Sequence, residues 1–287
     1  GCINRCAFCS ESINWVRYRF RDAKNIFDEI VYQIARYPDM QSFFFNDSLI
    51  NGNLEMLETL CDLLISNKIN IQWGGQAIIR EGMSRELLLK MKKAGCVHII
   101  YGLESLSPKI LKMIGKRFTP ELAQKVIRDT AHADIQNNVT IIVGLPTETD
   151  EDVIMTADFL KRNRNFINNI LFHLFVVSRG TFIYNHRDYF GIELEDDFNS
   201  IRWHSNKEIN TLEKRLEVLE FYNKYIGENK SFYSPEEYYL FIADKYFEKK
   251  DYTIALKNYL KAQEINKDSF KAEFIKNKIT LTSLRQH

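Results

Sequence analysis

Val97-His98-Ile99-Ile100-Tyr101-Gly102-Leu103-Glu104-Ser105 is the stretch whose reading decides the fold. Val97 to Tyr101 is a run too short for a helix and apolar and β-branched enough for a buried strand. It ends in a glycine and a carboxylate, and helices follow from Pro108 to Ile114 and from Pro120 to His132. The same unit recurs on both sides. Upstream, Asn70 to Trp73 opens into Gly74-Gly75-Gln76-Ala77 and a helix from Arg85 to Ala94. Before it, Phe43-Phe44-Phe45 reads as a short buried strand leading into Asn46-Asp47-Ser48 and a helix from Leu54 to Ile65. Apolar residues at Ile26, Phe27, Ile30, Val31, Ile34 and Ala35 give a helical period over Asn25 to Tyr37, ended near Pro38. Downstream, Val139 to Val143 ends in Gly144-Leu145-Pro146-Thr147-Glu148-Thr149 before a helix from Glu151 to Arg162. Ile170 to Val177 then ends in Arg179-Gly180-Thr181.

Buried strands alternating with amphipathic helices predict an α/β fold of parallel βα units, a full or partial barrel of the TIM type. Barrels place chemistry on loops at the carboxyl ends of their strands. The polar and glycine residues Asp47, Gln76, Glu104, Gly144 and Thr181 fall at those ends. With 45% apolar and 13% aromatic residues the chain can build a sizeable core. Its 39 basic and 38 acidic residues leave a net charge of +1, which supplies no electrostatic footprint for nucleic acid or an anionic membrane surface. No apolar run approaches a membrane span.

The first ten residues, Gly1-Cys2-Ile3-Asn4-Arg5-Cys6-Ala7-Phe8-Cys9-Ser10, hold three of the five cysteines at spacing C-x3-C-x2-C. The segment is too short and polar to be core, so the thiols read as ligands. Structural zinc takes four Cys or His ligands, commonly as two pairs, and no second C-x2-C or H-x3-H pair exists in the chain. A zinc knuckle stays open, but a cubane iron–sulfur cluster fits better: it needs one thiolate per iron, and three leave one iron for an exogenous ligand. An odd cysteine count with three in a ligand motif points to a reducing compartment, with cytoplasm as the default.

Cys2-x3-Cys6-x2-Cys9 with Phe8 resembles the cluster motif of the radical S-adenosylmethionine (SAM) enzymes. Ala94-Gly95-Cys96-x4-Tyr101-Gly102-Leu103-Glu104-Ser105, with Leu111-Lys112-Met113-x2-Lys116, is similar to the fourth-strand region of that family, and Val143 to Asp152 to its fifth-strand region. The resemblance covers most of residues 1 to 185. It implies a partial (β/α)6 barrel, a 4Fe-4S cluster on Cys2, Cys6 and Cys9, and SAM on the fourth iron. It also implies reductive cleavage of SAM to a 5′-deoxyadenosyl radical, with an electron donor such as flavodoxin or ferredoxin. Phe8 would lie near the adenine, Glu104 would bond the SAM amino group or ribose, and Gly144-Leu-Pro would let the backbone approach the adenine. Where relatives carry Gly-Gly-Glu, this chain has Asn46 to Asn53, with Asp47 as candidate for the SAM amine. Where many carry an arginine for the SAM carboxylate, it has Ala77-Ile78-Ile79, with Gln76 or Arg80 as substitutes. Relatives with these signatures commonly have an upstream cobalamin-binding domain and act as methyltransferases or ring modifiers. The chain has no initiator Met and begins one residue before a candidate ligand, so it reads as a fragment without its first barrel strand; cobalamin would come through the upstream domain.

Other residues read as structural. Cys61 and Cys96 sit at core positions, and His98, His132, His173, His186 and His204 have no metal-ligand spacing. His173 alternates within the last strand and could point into the barrel. Glu11 to Arg21, with Trp15, Tyr18, Phe20 and three arginines, reads as a loop covering a site, and Asn185 to Asn206 as a loop or cap. The core is expected to span 1–205. The region 206–287 is expected to be helical: Lys207 to Ile226, with Ile209 and Leu212 on one side; a tetratricopeptide (TPR)-like repeat at about 237–268; and Phe270 to Ile279. Such a tail would bind a protein partner, and an interaction protein with a structural cluster or zinc is the alternative to an enzyme. The substrate, a small molecule or a peptide, is not named by any motif.

Overall fold

The computed structural model describes residues 1–15, 17–195, 201–206, 210–226, 235–266 and 269–286. After a short helix α1 (Glu11–Asn14) and α2 (Ala23–Arg36), strands and helices alternate: β1 (Ser42–Phe45), α3 (Leu54–Ser66), β2 (Gln72–Ala77), α4 (Arg85–Lys93), β3 (Cys96–Glu104), α5 (Pro108–Ile114), α6 (Pro120–His132), β4 (Gln136–Val143), α7 (Asp150–Arg162) and β5 (Asn169–Leu174). The five strands pair in parallel, in chain order, as a partial barrel wall. Local chemistry starts the helices: Asp22, Asn53, Ser84, Ser107 and Thr119 each cap the next helix by accepting a backbone N–H.

Register sorts the side chains onto two faces. The row Ala77, Tyr101, Val139, Ile170 and its neighbours Leu103, Ile141 and Phe172 are buried against the helices. The opposite face carries the rows Phe44–Gly74–His98, Gln76–Ile100–Asn138–Asn169, Gly102–Thr140–Leu171 and Ile142–His173. Gln76 and His173 are exposed there, and Asn169 donates to Asn138 at 2.7 Å.

Several boundaries differ from the sequence reading. The strand expected at Asn70 to Trp73 runs over Gln72–Ala77, so Gly74, Gly75 and Gln76 lie inside it; a side chain at Gly74 would collide with the His98 ring, 2.3 Å from where its Cβ would stand. Phe43 to Phe45 is not fully buried: β1 is an edge strand and Phe44 is 47% exposed. β3 and β4 are longer than expected, and β5 stops at Leu174 instead of Val177.

Beyond β5 come α8 (Phe182–Asn185) and two antiparallel strands, β6 (Ile192–Leu194) and β7 (Trp203–Ser205), where a loop or cap was expected. The helix expected from Lys207 is α9 (Leu212–Ile226), packed on α7, β4 and β5; residues 207–209 lie outside the described residues. Then α10 (Pro235–Glu248), α11 (Tyr252–Ile265) and α12 (Ser269–Gln286) pack in sequence, with Ala243, Ala255 and Ala262 buried between them. The last of these extends past the expected Ile279. Among the described residues no helix is long and apolar enough to cross a membrane.

Candidate active site

The cysteine loop has little regular structure and is held through Ala7. Its N–H donates to the Ile114 carbonyl at 2.9 Å, and its own carbonyl accepts from the Ile183 N–H at 3.0 Å. Its methyl is buried with Ile110, Ile114, Leu145 and Ile183. The loop is thereby tied to the end of α5 and the start of α8. Gly115, with φ +76°, ends α5; a Cβ there would stand 3.4 Å from the Arg5 carbonyl and 3.9 Å from the Cys6 Cα. The Cys9 N–H donates to the Cys6 carbonyl at 3.0 Å, a tight turn between two thiols, and the Asn4 N–H points at Cys2 Sγ at 3.4 Å. All three thiols are partly exposed.

Beside the loop lies a buried charge pair. Lys116 Nζ donates to Glu104 Oε1 at 3.1 Å and to the Gly102 carbonyl at 2.7 Å, and stands 5.9 Å from the Phe8 ring centroid. Thr140 donates to Glu104 Oε2 at 3.1 Å. A bulge between Gly102 and Glu104 sets Glu104 opposite Ile141, with φ +67°, and turns the carboxylate to the inner face. A left-handed non-glycine residue costs about 1–2 kcal/mol, so the surroundings must enforce it. Burial alone would lower the Lys116 pKa, but attraction to Glu104 and then Cys6 outweighs it and the pKa is raised. Burial pushes the Cys6 thiol up to about 11, while Lys116 pulls it back and Cys9, Glu104 and Cys2 push it further.

Phe8, Glu104, Thr140, Ile142, His173 and Ser178 share the wall of a cavity of about 550 Å³ on the inner face. Burial lowers the His173 pKa and Glu104 opposes the shift. Of the residues singled out from the sequence, Phe8 and Glu104 are thus brought together. Gln76 lies on the same face, lower on β2. Asp47 lines a separate cleft along β1 with Tyr18 and Phe44. Arg80 is turned to the Asn51 and Gly52 carbonyls, at 2.9 and 3.0 Å, and so braces the loop after β1. Gly144 is closed off: Arg215 methylenes stand 2.2 Å from where its Cβ would be.

Sequence reasoning missed Lys116, Thr140, Asn51 and Arg215 as organising residues. Lys116 and Asn51 sit inside stretches that were singled out, but nothing in residue type says which lysine is buried. Asn51 is fully buried and clamps Ile78, accepting from its N–H at 3.1 Å and donating to its carbonyl at 2.8 Å.

Among the described residues no three His, Cys, Asp or Glu side chains converge closely enough to hold a single metal ion. The donor set of the loop is three thiols, each of which could take its own iron; burial raises the pKa of Cys6 and Cys9, and the Lys116 ammonium opposes that rise. That chemistry fits an iron–sulfur cluster.

Comparison with known proteins points the same way. Over 152 residues the chain is 30% identical to the anaerobic magnesium-protoporphyrin IX monomethyl ester cyclase of Rubrivivax gelatinosus, covering 53% of this chain and 27% of that one. It is 26% identical over 164 residues to an uncharacterised methyltransferase of Pyrococcus horikoshii, covering 56% and 35%. The chain therefore spans about a third or less of these relatives' length. The structure of the radical SAM methyltransferase TsrM from Kitasatospora setae, with cobalamin and a [4Fe-4S] cluster bound, aligns with a TM-score of 0.56 at 20% identity over 64% of this chain and 34% of that one. The Radical SAM superfamily model matches residues 1–160 of 287, from the cysteine loop into α7, and on that match the chain belongs to the radical SAM superfamily.

Proposed function

We propose that residues 1–205 are the catalytic core of a radical SAM enzyme, with Cys2, Cys6 and Cys9 holding a 4Fe-4S cluster and SAM bound beside it. When bound, this pair supplies a one-electron reductive cleavage of SAM and a 5′-deoxyadenosyl radical able to take a hydrogen atom from substrate. The protein's part is placement. Ala7 fixes the loop against α5 and α8, so that Phe8 opens on the same cavity as Glu104 and Thr140; this shared wall carries the reading. Lys116 favours thiolates, and Glu104, held by Lys116 and Thr140, presents a carboxylate whose position is fixed before ligand arrives. Phe8, Ile142 and Phe175 give the cavity an apolar lining. Asp47 and Gln76 are the candidates for the SAM amine and carboxylate, and the enclosure of Gly144 moves the adenine contact to Phe8. Methyl transfer is the reaction supported by the relative named a methyltransferase, with cobalamin as a further cofactor. In the same proposal residues 206–287 form a TPR-like partner-binding tail.

Anaerobic reconstitution with iron and sulfide should give a brown protein with about four irons per chain. Dithionite and SAM should then yield 5′-deoxyadenosine. Cys6→Ala should lose both iron and product. A colourless wild-type protein, or a Cys6→Ala variant with unchanged iron, sinks the proposal.

A further inference from the structure

His173 carries unused hydrogen-bonding capacity in the cavity wall. It stands on β5 opposite Ile142, and neither ring nitrogen has a hydrogen-bond partner among the described residues. The cavity's other strong polar group already has protein partners: one Glu104 oxygen accepts from Lys116 and the other from Thr140, which leaves it acceptor capacity but no donor. Lys116 in turn is taken by Glu104 and Gly102. No lysine or arginine is among the described residues lining the cavity, and most of the remaining wall is apolar. Partial enclosure lowers the His173 pKa; in the neutral imidazole one ring nitrogen donates and the other accepts.

We propose that His173 binds the substrate through its ring nitrogens, and that the substrate is an uncharged molecule with an apolar body and one edge that both donates and accepts hydrogen bonds, as an amide or a nitrogen heterocycle does. This rests on reading the cavity as the reaction chamber. Among the described lining residues an anionic group finds no lysine or arginine, and it meets the Glu104 carboxylate. An amide edge finds in one imidazole both the donor and the acceptor it needs, with Phe8 and Ile142 for its apolar body.

The test uses the full chain, reduced and iron-free, with benzamide as probe and benzoate as its charged counterpart. Ring ¹H–¹⁵N correlations are assigned by comparison with His173→Gln. Benzamide at millimolar concentration should shift the His173 ring signals saturably, and benzoate should bind several-fold more weakly. His173→Leu should weaken benzamide by roughly 3- to 10-fold, the loss of one hydrogen bond between neutral groups. Of His173→Asn and His173→Gln, which each keep one ring nitrogen's place, at least one should recover most of that loss. The assignment is overturned if benzamide produces no saturable shift at His173, if His173→Leu binds it as well as wild type, if neither amide variant recovers binding, or if benzoate binds better. None of these readouts depends on iron or on SAM cleavage. A chain that shows them yet makes no 5′-deoxyadenosine would lose the proposed function and keep this site, and the reverse outcome would do the opposite.

Discussion

Lys116→Met strands a carboxylate inside the protein. The two side chains of the Lys116–Glu104 pair are only 5% and 11% exposed. With methionine in place of lysine, Glu104 keeps Thr140 as donor, and the Gly102 carbonyl loses its side-chain partner. Leaving one member of a buried pair unpaired costs roughly 3–5 kcal/mol, whereas breaking an exposed pair costs about 0–1. Glu104→Gln, which strands the ammonium instead, should fall in the same range. The double variant removes both charges and should lose only the hydrogen bonds and the fit, roughly 1–2 kcal/mol. A double-mutant cycle should therefore show strong coupling, with the second change repairing most of the damage of the first. Urea unfolding of the iron-free, reduced protein followed by far-UV circular dichroism measures this, provided the slopes stay equal. A Lys116→Met cost under about 1 kcal/mol would mean the pair behaves as a surface contact. A double variant as unstable as the sum of the singles would mean the two charges do not interact. Either result refutes the preorganised carboxylate.

Two further outcomes follow from the loop after β4. Burial raises the Glu148 pKa to about 8, opposed by the Gly144 and Leu145 N–H groups. A carboxyl raised on folding gives stability that is present below its unfolded value, 4.5, and lost as pH rises toward 8. Melting temperatures of Glu148→Gln against wild type should therefore move in the variant's favour between pH 4.5 and 8, and a constant difference would contradict the enclosed carboxyl. Gly144→Ala adds a methyl at φ +81° against Arg215, so it should cost more than the roughly 1–2 kcal/mol of the backbone alone; an unchanged unfolding midpoint would show that Arg215 moves aside freely.

The alternation of apolar strands and amphipathic helices was legible because a parallel sheet needs one buried face and a crossover for every strand. The cysteine spacing was legible because it is a local pattern, complete within residues 2–9. Boundaries failed where tertiary contact overrides local preference: Gly74 reads as a turn in isolation but lies in a strand, since the His98 ring fills its side-chain space. The surroundings of two singled-out residues were equally hidden. Gly144 has the conformation of a ligand-approaching glycine, φ +81°, yet Arg215, dozens of residues later in the chain, occupies the space beside it. Arg80 reads as a ligand for a carboxylate but is turned to the Asn51 and Gly52 carbonyls. Such partners have no local signal.

The difference between the sheet's faces says more about use than any single residue does. Sheets of parallel strands are ordinarily buried on both sides, because their crossovers cover them. Here the helix-facing side follows that rule with Tyr101, Val139, Ile141 and Phe172, while the other presents Gln76, Asn138, Thr140 and His173. A packed apolar interior would have to pair every one of these groups, since an unpaired polar side chain there costs about 1–3 kcal/mol; here only Asn138 and Thr140 have side-chain partners, Asn169 and Glu104, among the described residues. They are tolerable because the inner face stays open, and Gln76 and His173 are exposed on it. The bulge that carries Glu104 to that face at the expense of a strained backbone belongs to the same pattern. A sheet shaped by stability alone favours a straight β3 and an interior of branched aliphatics; the polar groups and the bulge on this face are the ones the proposed site would use.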